Sequence, residues 1–344
     1  MNSKERVIAT IGGKKADRLP TDLWALTPVT DRLRNHFGVF SDEEVWKLLE
    51  IDIRSIWPEY TGPELEQYSD GSWKDWWGIR KRHLGSFEVI DEHPLENANR
   101  MEEIEEYSWP QLEWFDFSSL REKAEVFKDY AIVIRDPGPY STCSLRVAMF
   151  LRSMSKFMLD LVERPHFAKA ILNKVLQFYL QLNEKILEEV ADFIDIYFIA
   201  DDLGTQDGLM ISPAMFVEFI EPILKQFIDQ GKKYGKYVMY HSCGAIKQLI
   251  PKFIELGVDI LNPIQVSAKG MDPREIKEKF GDKLCFHGGV DVQRLLVRST
   301  PEEIKKQVVQ LSMILGKNGG YILAPTNNIM PETPLENILA MYDI

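Results

Sequence analysis

The chain has 344 residues, 45% hydrophobic and 27% charged, the balance of a globular protein with a large core. Its net charge of −12 and pI near 5.1 argue against a nucleic-acid partner, which demands a basic footprint. No apolar run reaches the ~20 residues of a membrane span, the first residues are polar rather than signal-like, and three cysteines (Cys143, Cys243, Cys285) are too few for a disulfide framework, so the expectation is a cytoplasmic protein with reduced thiols.

Short apolar runs recur at residues 21–25, 52–57, 131–135, 193–200, 236–240, 259–261, 283–286 and 320–324, each followed by a polar or glycine-rich turn. Helical patterns fill gaps between them, for example 212–234, 245–256, 273–280 and 301–315. Strands alternating with helices predict a parallel sheet, and eight of them predict one (β/α)8 TIM barrel spanning residues 1–344 as a single domain.

Two stretches depart from the repeat. Residues 60–118, with Trp73, Trp76, Trp77, Trp109 and Trp114, read as an insertion after the second strand. It carries its own hairpin, strands 79–83 and 86–90 around Leu84-Gly85. Residues 145–190 read as two amphipathic helices broken at Arg164-Pro165, with Met149, Met154 and Met158 in the core.

In a barrel the residues after each strand face the substrate. Four strand ends run into polar clusters: Asp201-Asp202-Leu203-Gly204, His241-Ser242-Cys243-Gly244, His287-Gly288-Gly289-Val290-Asp291 and Thr326-Asn327-Asn328. The His241-x-Cys243 spacing at a strand end can aim an imidazole and a thiolate at one zinc ion. It equally fits a hydrogen-bonded histidine beside a small buried thiol. Of the adjacent Asp201 and Asp202, only one can follow the strand's inward face; the other suits a cap or turn. His287 reads as a mouth residue, for ligand or acid/base work or for a structural hydrogen bond. Cys285 reads as strand filling and Cys143 as packing. Arg135-Asp136-Pro137-Gly138 reads as a strand exit, with Asp136 a substrate contact. Phosphate-loop, dinucleotide and G-x-S-x-G signatures are missing, and Asp91-Glu92-His93 has Glu96 where a cobalamin-binding motif needs glycine.

Taken in order, several segments carry a resemblance over nearly the whole chain: Arg6-Val7-Ile8 with Asp17-Arg18-Leu19-Pro20, Asp202-Leu203-Gly204-Thr205, Ser212-Pro213, His241-Ser242-Cys243-Gly244, Leu261-Asn262-Pro263-Ile264-Gln265, Gly288-Gly289-Val290-Asp291 and Pro334-Leu335-Glu336-Asn337. The sequence resembles the uroporphyrinogen decarboxylase superfamily. That resemblance implies a TIM barrel and one of two activities: decarboxylation of uroporphyrinogen III without a cofactor, or zinc-dependent methyl transfer to or from a corrinoid protein. In the second, coenzyme M or a methoxylated compound is the other partner.

The decarboxylases carry an arginine-rich M-R-Q-A-G-R-Y type segment after the first strand, where this chain has Trp24-Ala25-Leu26-Thr27-Pro28-Val29-Thr30 and no arginine before Arg32. Their histidine after the last strand is replaced here by Asn327. The methyltransferases share the H-x-C pair, matched by His241 and Cys243, but their third ligand, a cysteine, falls at about Asn327. Asp202 and His287 are the first substitutes, with Glu221 or Cys285 behind them. The resemblance thus implies a methyltransferase acting between a small methylated compound or thiol and a separate corrinoid protein, with zinc on His241 and Cys243. Asp202 and His287 would orient or protonate the substrate, and Asp136, Asn262, Gln265 and Asn327 would contact it. Two alternatives stand beside it: a uroporphyrinogen III decarboxylase, or a non-catalytic barrel that binds a tetrapyrrole or corrinoid protein.

Overall fold

The computed structural model describes residues 1–85, 87–136 and 141–343. Seven strands form one sheet: β1 (Ile53–Ile56), β2 (Ala131–Ile134), β3 (Ile196–Ala200), β4 (Tyr237–His241), β5 (Ile260–Asn262), β6 (Cys285–Val290) and β7 (Tyr321–Pro325). Each pairs in parallel with the next in chain order. β2, β3, β5, β6 and β7 are buried at every position, and β2, β3 and β7 accordingly read as continuous apolar runs rather than alternating ones.

The edges of this sheet meet one segment. Asp22 N donates to Leu323 O and Leu323 N to Pro20 O, both at 2.9 Å, on the β7 side. On the β1 side Asp52 N donates to Thr21 O at 2.9 Å. Residues 20–22 therefore bridge both edges where the sequence predicted a strand over 21–25, but only isolated bridges form there, Thr21 with Leu323 and Ala25 with Ile329. The run is cut short because Leu26 already caps the helix Thr27–Phe37.

Between β1 and β2 lies a small antiparallel sheet of Trp73–Lys74, Arg80–Leu84 and Phe87–Glu92. Leu84 pairs with Phe87, and Gly85 takes the positive φ of 61° that this tight turn requires. Ser86 and the turn read at Pro137-Gly138 lie outside the described residues. Trp76 and Trp77 pack edge-on or tilted against Phe178 and Tyr179, and Trp77 is completely buried.

The covering helices correct two readings. The stretch 145–190 forms three helices, α1 (Leu145–Arg152), α2 (Met154–Glu163) and α3 (Pro165–Val190). Proline opens α3, but the extra break falls at Ser153, a non-glycine residue with φ 67° that no breaker in the sequence signals. That break resets the helical phase, so Met149 is buried while Met154, expected in the core, is exposed. Among the described residues no helix is long and apolar enough to cross a membrane.

Register decides which strand ends meet. Ala200 pairs with His241, and His241 with Asn262, so the residues just past β3, β4 and β5 converge at one pole. Beyond the strands the loops touch backbone to backbone. A Cβ added at Gly244 (φ 92°) would lie 2.3 Å from the carbonyl carbon of Gly204, and one at Gly204 would lie 2.7 Å from Cys243 O. Two side-chain-free positions are what allow the β3 and β4 loops to approach this closely. The substitution Gly244→Ala is expected to destabilise the fold by about 2–4 kcal/mol, seen as a lower Tm in thermal unfolding followed by circular dichroism. A Tm equal to the wild-type value would contradict this packing.

Candidate metal and substrate site

Past the end of β3 two neighbouring carboxylates diverge. Asp201 turns to the start of α1, where Oδ2 accepts from Ser144 N and Ser144 Oγ at 2.9 Å each and Oδ1 accepts from Arg146 N at 3.0 Å. It satisfies amide groups that the first helical turn leaves without partners. Asp202 turns to the pole: Oδ1 accepts from Cys243 N at 2.9 Å, and Oδ2 pairs with Arg146 Nη2 at 3.0 Å. The sequence left open which aspartate faces inward; the helix start behind Asp201 decides it.

Asp202, His241 and Cys243 come together. His241 Nε2 lies 3.4 Å from both Asp202 Oδ1 and Cys243 Sγ, and the three potential ligand atoms all sit within 4.8 Å of one another. Nitrogen, sulfur and oxygen donors of this kind suit zinc with a coordination position left open. Burial opposes a charge on His241, yet Cys243 and Asp202 outweigh it and raise the imidazole pKa to about 10. Burial likewise opposes charge on Asp202, and His241 and Arg146 nevertheless hold its carboxyl well below the ordinary carboxylate range. These neighbours favour a positive charge at the point that His241 Nε2 faces, whether a proton or a metal ion.

The other edge of His241 is fixed by a buried relay. Its Nδ1 bonds Asn262 Oδ1, Asn262 Nδ2 bonds His287 Nδ1 at 2.6 Å, and His287 Nε2 bonds Asp22 Oδ2 at 3.0 Å. Asp22 Oδ2 also accepts from Trp24 Nε1 at 2.6 Å, and Oδ1 from Leu23 N at 2.9 Å. Proton positions follow in sequence. Burial works against charge on Asp22, but His287 and Arg135 keep it ionised, so it can only accept. Burial pushes the His287 pKa down against the pull of Asp22, leaving one ring proton, which must sit on Nε2 facing the carboxylate. His287 Nδ1 then accepts, so Asn262 presents its amide there and its carbonyl to His241. One His241 proton is thereby held on Nδ1, so Nε2, protonated while no metal is bound, is the nitrogen that faces Cys243 and Asp202.

Other expected residues fall differently. His287 lies within β6 and is completely buried, not at the mouth. The sequence reading ended that strand at 286 because Gly288-Gly289 resembles a turn, whereas both continue it at φ 93° and 103°, with Gly288 against Pro263. Asn262, expected at the substrate, is buried between two histidines. Gln265 Oε1 accepts from Gly244 N at 2.6 Å and braces the turn after Cys243. Asn327 is exposed, with Nδ2 3.7 Å from Cys243 Sγ, at the rim of the cluster. Asp136 follows β2, and its carbonyl accepts from Ser141 Oγ at 3.1 Å. Glu221 pairs with Lys252 at 3.4 Å. Cys143 and Cys285 are buried, and burial raises both thiol pKa values, that of Cys285 to about 12.

Four contributors carried no motif: Asp22, Trp24, Arg135 and Arg146. Trp24 stacks on His241 with ring centroids 5.6 Å apart, and the Arg135 guanidinium lies 4.4 Å from the Trp24 ring centroid. Strand periodicity offered one signal, since residues 22 and 24 share a face of the run 21–25.

The family model described as uroporphyrinogen decarboxylase (URO-D) matches residues 139–344, which include every cluster and relay residue except Asp22. The chain belongs to the uroporphyrinogen decarboxylase family. A curated relative, the methylcobamide:CoM methyltransferase MtaA of Methanosarcina barkeri, is 26% identical over 222 residues, 64% of this chain and 59% of that protein. The protein of the same name from strain Fusaro is 25% identical over 222 residues. This family member thus spans about three-fifths of the length of those relatives. A solved methyltransferase from Methanosarcina mazei shares the fold, with a TM-score of 0.67 at 18% identity, covering 99% of this chain and 97% of that one.

The two histidines are expected to titrate apart. In metal-free protein the His241 ring should still be cationic at pH 8, and His287 should titrate below the ordinary histidine value, in histidine-selective NMR spectra assigned with His241→Ala and His287→Ala. The folded pKa of His241 is raised, to about 10, so its contribution to stability is complete below the unfolded value near 6.5 and is lost as pH rises through 10. Two rings both titrating near 6.5 would contradict the relay.

Proposed function

We propose that this member of the uroporphyrinogen decarboxylase family is a zinc-assisted methyltransferase. It would move a methyl group between a small methylated compound or thiol and a separate corrinoid protein. The observation that carries this reading is the cluster of His241, Cys243 and Asp202 beside one another in a chain whose curated relatives are methylcobamide:CoM methyltransferases. Zinc bound there supplies Lewis acidity, lowering the pKa of a thiol acceptor or polarising a methoxyl oxygen.

The chain's own groups have separable tasks. Asp202 serves as the third ligand in place of a residue at Asn327. Its carboxyl is held ionised by His241 and Arg146 against the cost of burial, so it has no proton to donate near neutral pH. His287 acts through Asn262 as a positioning residue, because it has no exposed surface with which to touch a substrate. Asn327 and Asp136 flank the mouth and contact the small molecule. In this reading residues 1–344 work as one barrel domain in the cytoplasm, with residues 20–22 in the place of an eighth strand and 60–118 as an elaboration. The corrinoid protein approaches the pole at which the cluster lies.

Decarboxylation is less well supported. Arg32, the first arginine after the opening strand segment, donates to Pro331 O at 2.7 Å and Thr333 O at 3.0 Å, and so ties a helix to a loop. Cations are what would compensate the desolvated acetate arms of a porphyrinogen.

Protein exposed to excess zinc and desalted is expected to hold one zinc per chain, and His241→Ala or Cys243→Ser well under half of that. Affinity should fall as pH drops, since protons compete for both ligands. Asn327→Cys, 3.7 Å from the sulfur in its present form, is expected to retain zinc against a chelator concentration that strips the wild type. Sub-stoichiometric zinc in the wild-type protein would defeat the metal-assisted reading.

A further inference from the structure

We infer that Arg135 is the anchor for a carboxylate-type anion on the small molecule that enters this pole. The inference deepens the methyl-transfer reading and rests on it only for the identity of the pole.

Arg135 carries five N–H donors in a planar fork. It stands directly after β2, its side chain 16% exposed. Its Nε donates to Ser55 Oγ at 3.1 Å, and among the described residues neither Nη atom has a hydrogen-bond acceptor. The nearest carboxylate oxygen, Asp22 Oδ2, is 3.7 Å from Nη1, beyond hydrogen-bond reach. That oxygen is already engaged by Trp24 Nε1 and His287 Nε2, and the other oxygen by Leu23 N. Asp136 acts on the guanidinium through space. Among the described residues the outer edge of the fork is thus left with donors and no acceptor, on a side chain that keeps some exposure.

Position makes this an anchor rather than a surface charge. The guanidinium lies over Trp24, and the same indole stacks on His241, so a single ring separates the open fork from the cluster. A planar guanidinium held by stacking and by one bond at Nε is preorganised to receive two parallel bonds from a carboxylate. Burial depresses the Arg135 pKa, the sign of a cation whose desolvation its neighbours do not fully repay; a bound anion would complete the compensation. The contrast is Arg146, which meets the Asp202 carboxylate directly at 3.0 Å and holds a ligand in place.

The test is calorimetric binding to the full-length zinc-loaded protein, which needs neither turnover nor a corrinoid partner. Two carboxylate probes, methoxyacetate and 4-methoxybenzoate, are compared with their neutral amides, and 4-methoxybenzenesulfonate separates a carboxylate from another oxyanion. At least one carboxylate is expected to bind the wild type tenfold or more tightly than its amide. In Arg135→Gln, which also removes a cation beside Asp22, that preference should vanish while the neutral amides still bind. Arg135→Lys, which keeps the charge and loses the fork, should retain only part of it, and decides the matter should the glutamine variant fold poorly. A preference that survives in both variants, or that the wild type never shows for either probe, overturns the inference. So does a sulfonate preferred over the carboxylate. Methyl transfer failing while the Arg135-dependent preference persists would refute only the functional reading above.

Discussion

A single buried carboxylate orders the interior of this protein. Asp22 is almost fully enclosed and ionised, a state that is costly unless its oxygens are saturated with donors. Three donors saturate it: a backbone amide, an indole and an imidazole. The demand for a proton at His287 Nε2 passes through Asn262 to His241, because a neutral imidazole has one donor and one acceptor and an amide one of each kind on its two arms. The choice of Nε2 as the nitrogen that faces Cys243 and Asp202 is therefore made by a charge three side chains away. A histidine at a strand end without that relay could choose either tautomer.

Backbone geometry supplies the rest of the convergence. The parallel register sets Ala200, His241 and Asn262 side by side, and two opposed glycines let the loops beyond them touch. Asp202 can then accept from the amide of Cys243 while Arg146 holds its second oxygen. Arg146 in turn lies in the first turn of α1, where Asp201 accepts from the amides of Ser144 and Arg146. Adjacent aspartates thus do complementary work, one fixing the helix that carries the arginine, the other using that arginine.

What the sequence disclosed was local. His241-x-Cys243 closes a strand, so its two side chains were legible as a pair, and the apolar runs marked all seven strands to within a few residues. What it hid depended on partners far along the chain. Asp22 and His287 are 265 residues apart, and no periodicity connects them. Gly288-Gly289 resembles a turn, but both continue the strand, Gly288 against Pro263 and Gly289 against Tyr321, which places His287 in the interior rather than at the mouth. Ser153 breaks a helix without a breaker residue, and the choice between Asp201 and Asp202 needed the position of α1. Such features arise from packing between elements, which single-chain patterning does not encode.

The claim at the centre of this account is that His241, Cys243 and Asp202 hold one metal ion with a position open to the substrate. X-ray absorption at the zinc edge of the zinc-loaded full-length protein addresses it directly, because sulfur and oxygen or nitrogen scatter at different distances. The account requires one sulfur at about 2.3 Å and the remaining light-atom ligands at about 2.0–2.2 Å, with the sulfur contribution lost in Cys243→Ser. A first shell of light atoms alone in the wild-type protein, or one unchanged by that substitution, would contradict it.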